Sequence, residues 1–296
     1  MTLYFLYRLG VFLAMSLPIT LSYSVAVFMA NIYYFCSRKD RMSLIGNIDI
    51  VLGKSHPDNE SRRIARAVFG NFAKYLVDFF RFQRIDKRYI DKYVKIDGLE
   101  NIKDALARGK GVICLSAHIG NWELGGTILP FTGYPISAVV LTHKHKKIND
   151  FFRRQRMTGK VTPIEIGVAL KSCYSLLRSN GMLALLGDRD FTKNGIQQEF
   201  FGKKTLIPKG PAALSYRIGS AIVPSFMIRN ADDTFTLYLE KPIYPDTSAE
   251  EDAAIKALTK ECVSVIESYI RKYPSQWYAF KEVWTNGEVL RPDTVL

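Results

Sequence analysis

Apolar side chains recur every four positions at Ile64, Val68, Phe72, Leu76 and Phe80, and Asp58 or Asn59 stands where a cap belongs. That spacing predicts one amphipathic helix over 59–83. From Val94 onward the rhythm changes to short apolar runs separated by helical stretches. The runs at 94–96, 111–116, 136–141, 182–186, 221–228 and 234–239 predict strands. Helices are predicted over 99–108, 121–129, 146–157, 168–179, 209–218 and 248–272. Such alternation builds an α/β fold, a mainly parallel sheet flanked by helices on both faces. Ligands of such sheets bind outside the carboxyl ends of the strands.

The N-terminus is patterned differently. Between Arg8 and Arg38 no residue is charged, a run of 29 positions from Leu9 to Ser37. As one helix it would be about 43 Å long, more than the ~30 Å hydrocarbon core requires. Tyr33-Tyr34-Phe35 offers no small-residue cleavage site, so the run is expected to stay as a membrane anchor over 1–37. The catalytic domain is then expected over 38–296. Pro18, with Ser16, Thr20, Ser22 and Ser24 nearby, leaves a kinked or interfacial segment open as well. Arg38, Lys39 and Arg41 favour keeping the remainder of the chain in the cytoplasm. Because the periodic pattern restarts beyond Asn59, deletion of residues 1 to 37 is expected to leave a folded, more soluble protein.

Charge narrows the partners. The 296 residues carry 41 Lys and Arg against 28 Asp and Glu, a net charge of +13. Such a balance suits a polyanion: nucleic acid, an anionic membrane surface, a phosphorylated substrate or an acidic carrier protein. No nucleic-acid module signature accompanies it. Cys36, Cys114, Cys173 and Cys262 are far apart, without CxxC or metal spacing, which argues for a reducing compartment and against a disulfide framework. His143 and His145 lie in a lysine-rich stretch with no cysteine or carboxylate partner, so no metal set is expected.

The candidate chemistry comes directly after the run at 111–116. His118-Ile119-Gly120-Asn121-Trp122-Glu123-Leu124-Gly125 places an imidazole and a carboxylate five positions apart. In a continuous helix they would diverge. They converge if His118 sits in the strand-to-helix turn, Gly120 permits that turn, and Asn121 caps a helix whose first turn holds Glu123. A histidine held by a carboxylate is a general base for a hydroxyl or thiol proton. The plainer alternative is a satisfied polar histidine with Glu123 favoured by the helix dipole.

Ser116-Ala117-His118-Ile119-Gly120-Asn121-Trp122-Glu123-Leu124-Gly125-Gly126 resembles the central motif of the bacterial lipid A biosynthesis acyltransferases, the lauroyl/myristoyl transferase family. That family lies within the wider His-x4-Asp/Glu glycerolipid acyltransferase group. The resemblance extends through Arg66-Ala67-Val68-Phe69-Gly70-Asn71-Phe72, Gly187-Asp188-Arg189-Asp190, Phe200-Phe201-Gly202-Lys203, Pro208-Lys209-Gly210-Pro211 and Tyr273-Pro274-Ser275-Gln276-Trp277-Tyr278. It implies a glycerolipid acyltransferase-like fold and transfer of an acyl group from a thioester to a membrane glycolipid hydroxyl. Acyl carrier protein is the donor implied by the closest relatives, acyl-CoA by related glycolipid acyltransferases. No cofactor is implied, the acceptor is an anionic glycolipid resembling a lipid A precursor, and the enzyme works on the cytoplasmic face of the inner membrane.

On this reading His118 removes the acceptor proton, and Glu123 fixes its tautomer and stabilises the imidazolium. Base-assisted direct attack needs no Ser or Cys nucleophile, and the chain has no G-x-S-x-G elbow. Ser116 is read as structural, and backbone amides near Gly120 are the candidate oxyanion donors. An arginine shortly before a glycine helps bind substrate in the family. Here Arg153-Arg154-Gln155-Arg156-Met157-Thr158-Gly159 carries three candidates, within a Lys144–Lys160 segment that is otherwise a solvated helix face. Asn121, Asp188, Arg189 and Glu199 complete the expected substrate-binding set, although the family commonly has Gln where Arg189 stands. Lysophospholipid acylation with acyl-CoA is the alternative. Its proline-glutamate-glycine-threonine block is replaced here by Gly187-Asp188-Arg189-Asp190.

Overall fold

The computed structural model of the chain describes residues 2–284 apart from Lys144, Gly167, Val168, Thr192 and Lys193. Lys144 of the basic segment, Val168 of an expected helix and the last stretch of the expected catalytic domain therefore lie outside the described residues. Helices α1 (Thr2–Ser16) and α2 (Ile19–Cys36) split at Pro18, which has no N–H for a continuous helical ladder. Helices α3 (Arg38–Val51) and α4 (Asn59–Phe80) follow, α4 capped by the Asp58 side chain on Ser61 N. Next come α5 (Lys87–Tyr93), β1 (Val94–Asp97), α6 (Leu99–Ala107), β2 (Val112–Ser116), α7 (Trp122–Ile128), β3 (Ile136–Val140) and α8 (Lys146–Thr158). The chain continues through β4 (Val161–Glu165), α9 (Ala169–Arg178), β5 (Met182–Leu186), β6 (Ile196–Phe200), β7 (Lys203–Ile207) and α10 (Gly210–Ile218). Strands β8 (Ala221–Arg229) and β9 (Phe235–Leu239) and helix α11 (Glu251–Lys272) close the fold.

Seven strands form one sheet in the order β1-β9-β8-β2-β5-β3-β4, parallel throughout except where β8 meets β9. Consecutive side chains of β2 serve opposite cores. Ile113 and Leu115 pack with α9, α10 and α11, while Val112 and Cys114 pack with α4, α6, α7 and α8. A strand covered on both faces reads as an unbroken apolar run, which is why β2 was legible. Strand β4 was not, because Pro163 interrupts it and only an edge position tolerates that. The β6–β7 hairpin also escapes the apolar pattern. It turns through Phe201 and Gly202, both left-handed at φ 53° and 74°, as a two-residue hairpin loop requires. Helices α3 and α5 go beyond the expected elements too.

The first two helices are built into this body along one face. Ala14 and Tyr23 are buried with Val77, Phe79 and Phe80, and Tyr34 packs edge-on against Phe69. The Arg81 guanidinium donates to the carbonyls of Ala14 and Leu17, and Arg84 to Met15 at 2.6 Å. Tyr23 Oη donates to Asp78. The opposite face exposes Phe5, Leu6 and Phe12 of α1 and Phe28, Met29 and Phe35 of α2. An anchor separable at residue 37 thus meets a buried seam.

Candidate active site

Strand β2 delivers the chain to His118, and the turn after it is held from two sides. Gly120 N donates to Gln276 O at 2.9 Å, Asn121 N to Met227 O at 2.7 Å, and Tyr278 N to His118 O at 2.9 Å. Gly120 has φ +61°, and a Cβ there would lie 2.0 Å from Met227 O, so only glycine fits against β8. The closing segment is in turn held by α4, where Asn71 Nδ2 donates to Ser275 O at 2.8 Å. Two stretches that resemble the family in sequence therefore meet on the back of the His118 turn.

His118 Nδ1 lies 2.8 Å from Asp188 Oδ1, and Trp277 Nε1 donates to Asp188 Oδ2 at 3.1 Å. The expected partner, Glu123, is not the carboxylate on this ring. Its two oxygens receive Arg156 Nε and Nη2 at 2.7 to 3.1 Å. The reason is sheet register. Ser116 of β2 pairs with Leu186 of β5, so the residues two positions beyond each, 118 and 188, emerge side by side. Glu123 instead leaves the first turn of α7 toward α8. Asp188 sits at the strand end foreseen for it, but it is fully buried and acts on His118 rather than lining the cavity.

Burial, followed by the Arg189 cation, holds the His118 pKa below the ordinary imidazole value, and the Asp188 charge only partly offsets them. Burial alone would raise the Asp188 pKa. The neighbouring His118 and Arg189 outweigh it and keep the carboxyl below its usual range. An ionised carboxylate only accepts, so Nδ1 carries the proton and Nε2 presents its lone pair. The ring is therefore neutral, with an unprotonated Nε2. At Arg156 burial works downward, but Glu123 prevails and the guanidinium pKa is raised.

His118, Glu123, Arg156 and Arg189 all line one cavity of about 1290 Å³. That is above the ~300–1,000 Å³ of sites for drug-sized ligands. Beneath α7 and α8 its floor is made by small side chains, Cys114, Ala138 and Ala184, with Gly125 and Gly126 above. Burial pushes the Cys114 thiol up to about 12, so it offers no thiolate at neutral pH. Ser116, read as structural, also lines the cavity, and its buried Oγ has no hydrogen-bond partner.

Besides Asp188, four of the expected substrate contacts lie off the cavity wall. Asn121 is 1% exposed; it caps Leu124 N through Oδ1 at 3.1 Å and donates to Asp78 Oδ2 at 2.8 Å, holding the turn together. Glu199 is exposed in β6 opposite Lys204. Arg153 and Arg154 are exposed on α8, off the cavity wall. Helical spacing explains the split, since only Arg156 shares the cavity side with Phe152. Changing Arg156 to Gln is expected to lower kcat/KM about a hundredfold, because it leaves Glu123 buried without its cation. The matching Arg153→Gln and Arg154→Gln proteins should stay within about twofold of the parent, as exposed charges do. Steady-state kinetics of the three single variants check this.

The chain is similar to several bacterial acyltransferases. The chain is 26% identical over 264 residues to the phosphatidylinositol mannoside acyltransferase of Mycolicibacterium smegmatis, covering 87% of this chain and 84% of that protein. It is 26% identical over 196 residues to a lipid A biosynthesis acyltransferase of Haemophilus influenzae, covering 64% of this chain and 59% of that one. A lipid A biosynthesis palmitoleoyltransferase of Escherichia coli is 24% identical over 190 residues, covering 64% of this chain and 60% of that protein. The family profile described as bacterial lipid A biosynthesis acyltransferase matches residues 1–286, nearly the whole length over which the His118 turn, its clamp and the cavity are built, and the chain belongs to that family.

Proposed function

We propose that the protein is an O-acyltransferase that moves a fatty acyl group from a thioester to a hydroxyl of a membrane glycolipid, with His118 as base. The observation that carries this is the His118–Asp188 pair opening onto a largely apolar cavity at the carboxyl ends of β2 and β5. His118 Nε2 takes the acceptor proton as the acceptor oxygen attacks the thioester carbonyl carbon. The carbonyl electron pair moves to oxygen, then returns and expels the thiolate, which recovers the proton from His118. The products are an ester and a free thiol, and the enzyme is unchanged. Asp188 orients the ring and stabilises the imidazolium. Glu123 and Arg156 form a buried pair on the cavity wall that shapes the acceptor side.

Either acyl carrier protein or CoA supplies the acyl thioester. The acceptor is an anionic glycolipid, as the lipid A and phosphatidylinositol mannoside names of the relatives imply for those proteins. Mass spectrometry of cell lipids with and without the gene tests the reading. A glycolipid that loses one acyl chain is the expected result, and a changed lysophospholipid pool with intact glycolipids would overturn it.

The enzyme docks on the cytoplasmic face of the inner membrane through the outer faces of α1 and α2. The 18 residues of α2 are apolar enough to cross a bilayer, with a mean hydropathy of 1.4. Polar partners meet it within its length, however: Tyr23 donates to Asp78, and Asn31 Oδ1 accepts from Arg66 at 2.6 Å. A spanning helix would drag those charges of α4 into hydrocarbon, whereas an in-plane helix buries only its apolar face.

The small floor residues set the acyl length. Ala138→Phe and Ala184→Phe are expected to shift the preferred donor to shorter chains, lowering kcat/KM for a sixteen-carbon acyl-CoA about tenfold or more and sparing a ten-carbon one. Equal losses for both lengths would place the acyl chain elsewhere.

A further inference from the structure

Acyl transfer needs a donor group for the oxygen that becomes negative when the carbonyl is attacked. Three backbone amides around Gly120, where the donors were expected, are committed: Ile119 N to Ala117 O, Gly120 N to Gln276 O and Asn121 N to Met227 O. Helix α7 has only seven residues. Arg156 turns its Nε and Nη2 edge to Glu123, which neutralises its charge. Next to the His118–Asp188 pair, the cavity wall carries Arg189, which is 8% exposed. Its Nε lies 3.2 Å from Asp188 Oδ2 but out of line for a hydrogen bond, and neither Nε nor Nη2 has a hydrogen-bond partner. Unsatisfied N–H groups on a buried guanidinium are costly, and such an arrangement persists where a ligand completes it.

We propose that Arg189 is a catalytic residue, whose free N–H groups hold the oxyanion of the attacked thioester carbonyl. This deepens the acyl-transfer reading and rests on it. Placement and charge support the role. Asp188 holds His118 through Oδ1 and faces Arg189 through Oδ2, so base and guanidinium share one carboxylate beside one cavity. Before reaction the three groups sum to zero charge: a neutral imidazole, a carboxylate and a guanidinium. When His118 accepts the proton the cluster becomes +1, matching the −1 that appears on the carbonyl oxygen. Charge-assisted hydrogen bonds are roughly twice as strong as neutral ones, which favours Arg189 over the unbonded Ser116 hydroxyl for this task. A fully paired arginine could not serve; this one is held in place yet left with hydrogens to give.

The test uses the full-length protein with hexadecanoyl-CoA as donor and thiol release as readout, comparing the parent with Arg189→Gln, Arg189→Lys and Arg189→Met. Parent activity comes first: no thiol release and no ester formed with either hexadecanoyl-CoA or the hexadecanoyl-acyl carrier protein, in the presence of a membrane glycolipid extract, would bring down the acyl-transfer reading itself. Given an active parent, Arg189→Met is expected to lower kcat about a hundredfold to a thousandfold with KM within about threefold. Arg189→Lys should recover part of that loss, and Arg189→Gln, which keeps an N–H but no charge, less. Inhibition supplies a reading that a structural role would not move. S-hexadecyl-CoA, which lacks the carbonyl oxygen, should bind parent and variants alike. A hexadecyl trifluoromethyl ketone, which adds water to give a tetrahedral gem-diol whose proton His118 can take, should bind the variants about a hundredfold more weakly. Equal weakening of both inhibitors would assign Arg189 to ground-state donor binding and overturn the proposal, as would unchanged kcat in a folded Arg189→Met.

Discussion

His118→Ala lowers turnover by about a thousandfold or more while the protein keeps its melting temperature within a few degrees. The side chain borders the cavity, and the turn around it is fastened through backbone groups that alanine keeps. Asp188→Asn is expected to cost a similar factor for a different reason. A carboxamide facing Nδ1 can hold the ring in the wrong tautomer, with the proton on Nε2 where the lone pair is needed. The pH profile carries a sign. Neutral imidazole is the working form, so activity falls on the acid side as His118 protonates. Because burial and Arg189 depress that pKa, the acid limb lies below the ordinary imidazole value of about 6.5. Removing the Asp188 charge, which opposes the depression, moves the limb lower still in Asp188→Asn. Near-parent turnover in a folded His118→Ala protein would end the base mechanism.

Asp78→Ala destabilises the protein by about 3–5 kcal/mol, the range for removing one partner of a buried ion pair. Asp78 accepts from Tyr23 of α2, from Asn121 at the head of α7 and from Arg229 of β8, and it is 4% exposed. Alanine leaves the Arg229 cation buried without that carboxylate and Asn121 without one of its bonds. Denaturant unfolding of the variant measures the loss. Removal of residues 1–37 acts on the same node. It strips Tyr23 from Asp78, uncovers Val77 and Phe80, and takes away Tyr7, whose ring packs on Phe151 and Phe152 and lines the cavity. The expected outcome is therefore an aggregating, inactive protein, not the more soluble folded domain that the sequence pattern suggests. A truncated protein that melts cooperatively and retains turnover would restore the separable anchor.

Much of the architecture was legible because the physics that produces it is local. The four-residue apolar repeat of α4, its Asp58 cap and the two-faced apolar runs of β2, β5 and β8 each follow from side-chain period and burial. The elements that stayed hidden have little apolar signal of their own. Strand β4 is an edge strand with a proline, and the β6–β7 hairpin is mostly polar. In the apolar N-terminal run, composition records only that lipid or protein can cover it. Packing decides which face meets which.

At the site the division is sharper. By itself, the sequence determined that His118 stands in a glycine turn after a strand and that Gly187–Asp190 ends another strand, but it pointed to Glu123 as the carboxylate on the ring. Only the tertiary structure decided the partners. Strand register sets Asp188 beside His118, helix direction turns Glu123 to Arg156, and the closing segment at Gln276–Tyr278 clamps the turn. Five positions along one chain say which groups are near each other in sequence. A hydrogen bond between residues 70 apart depends on which strands lie side by side, and no local spacing carries that.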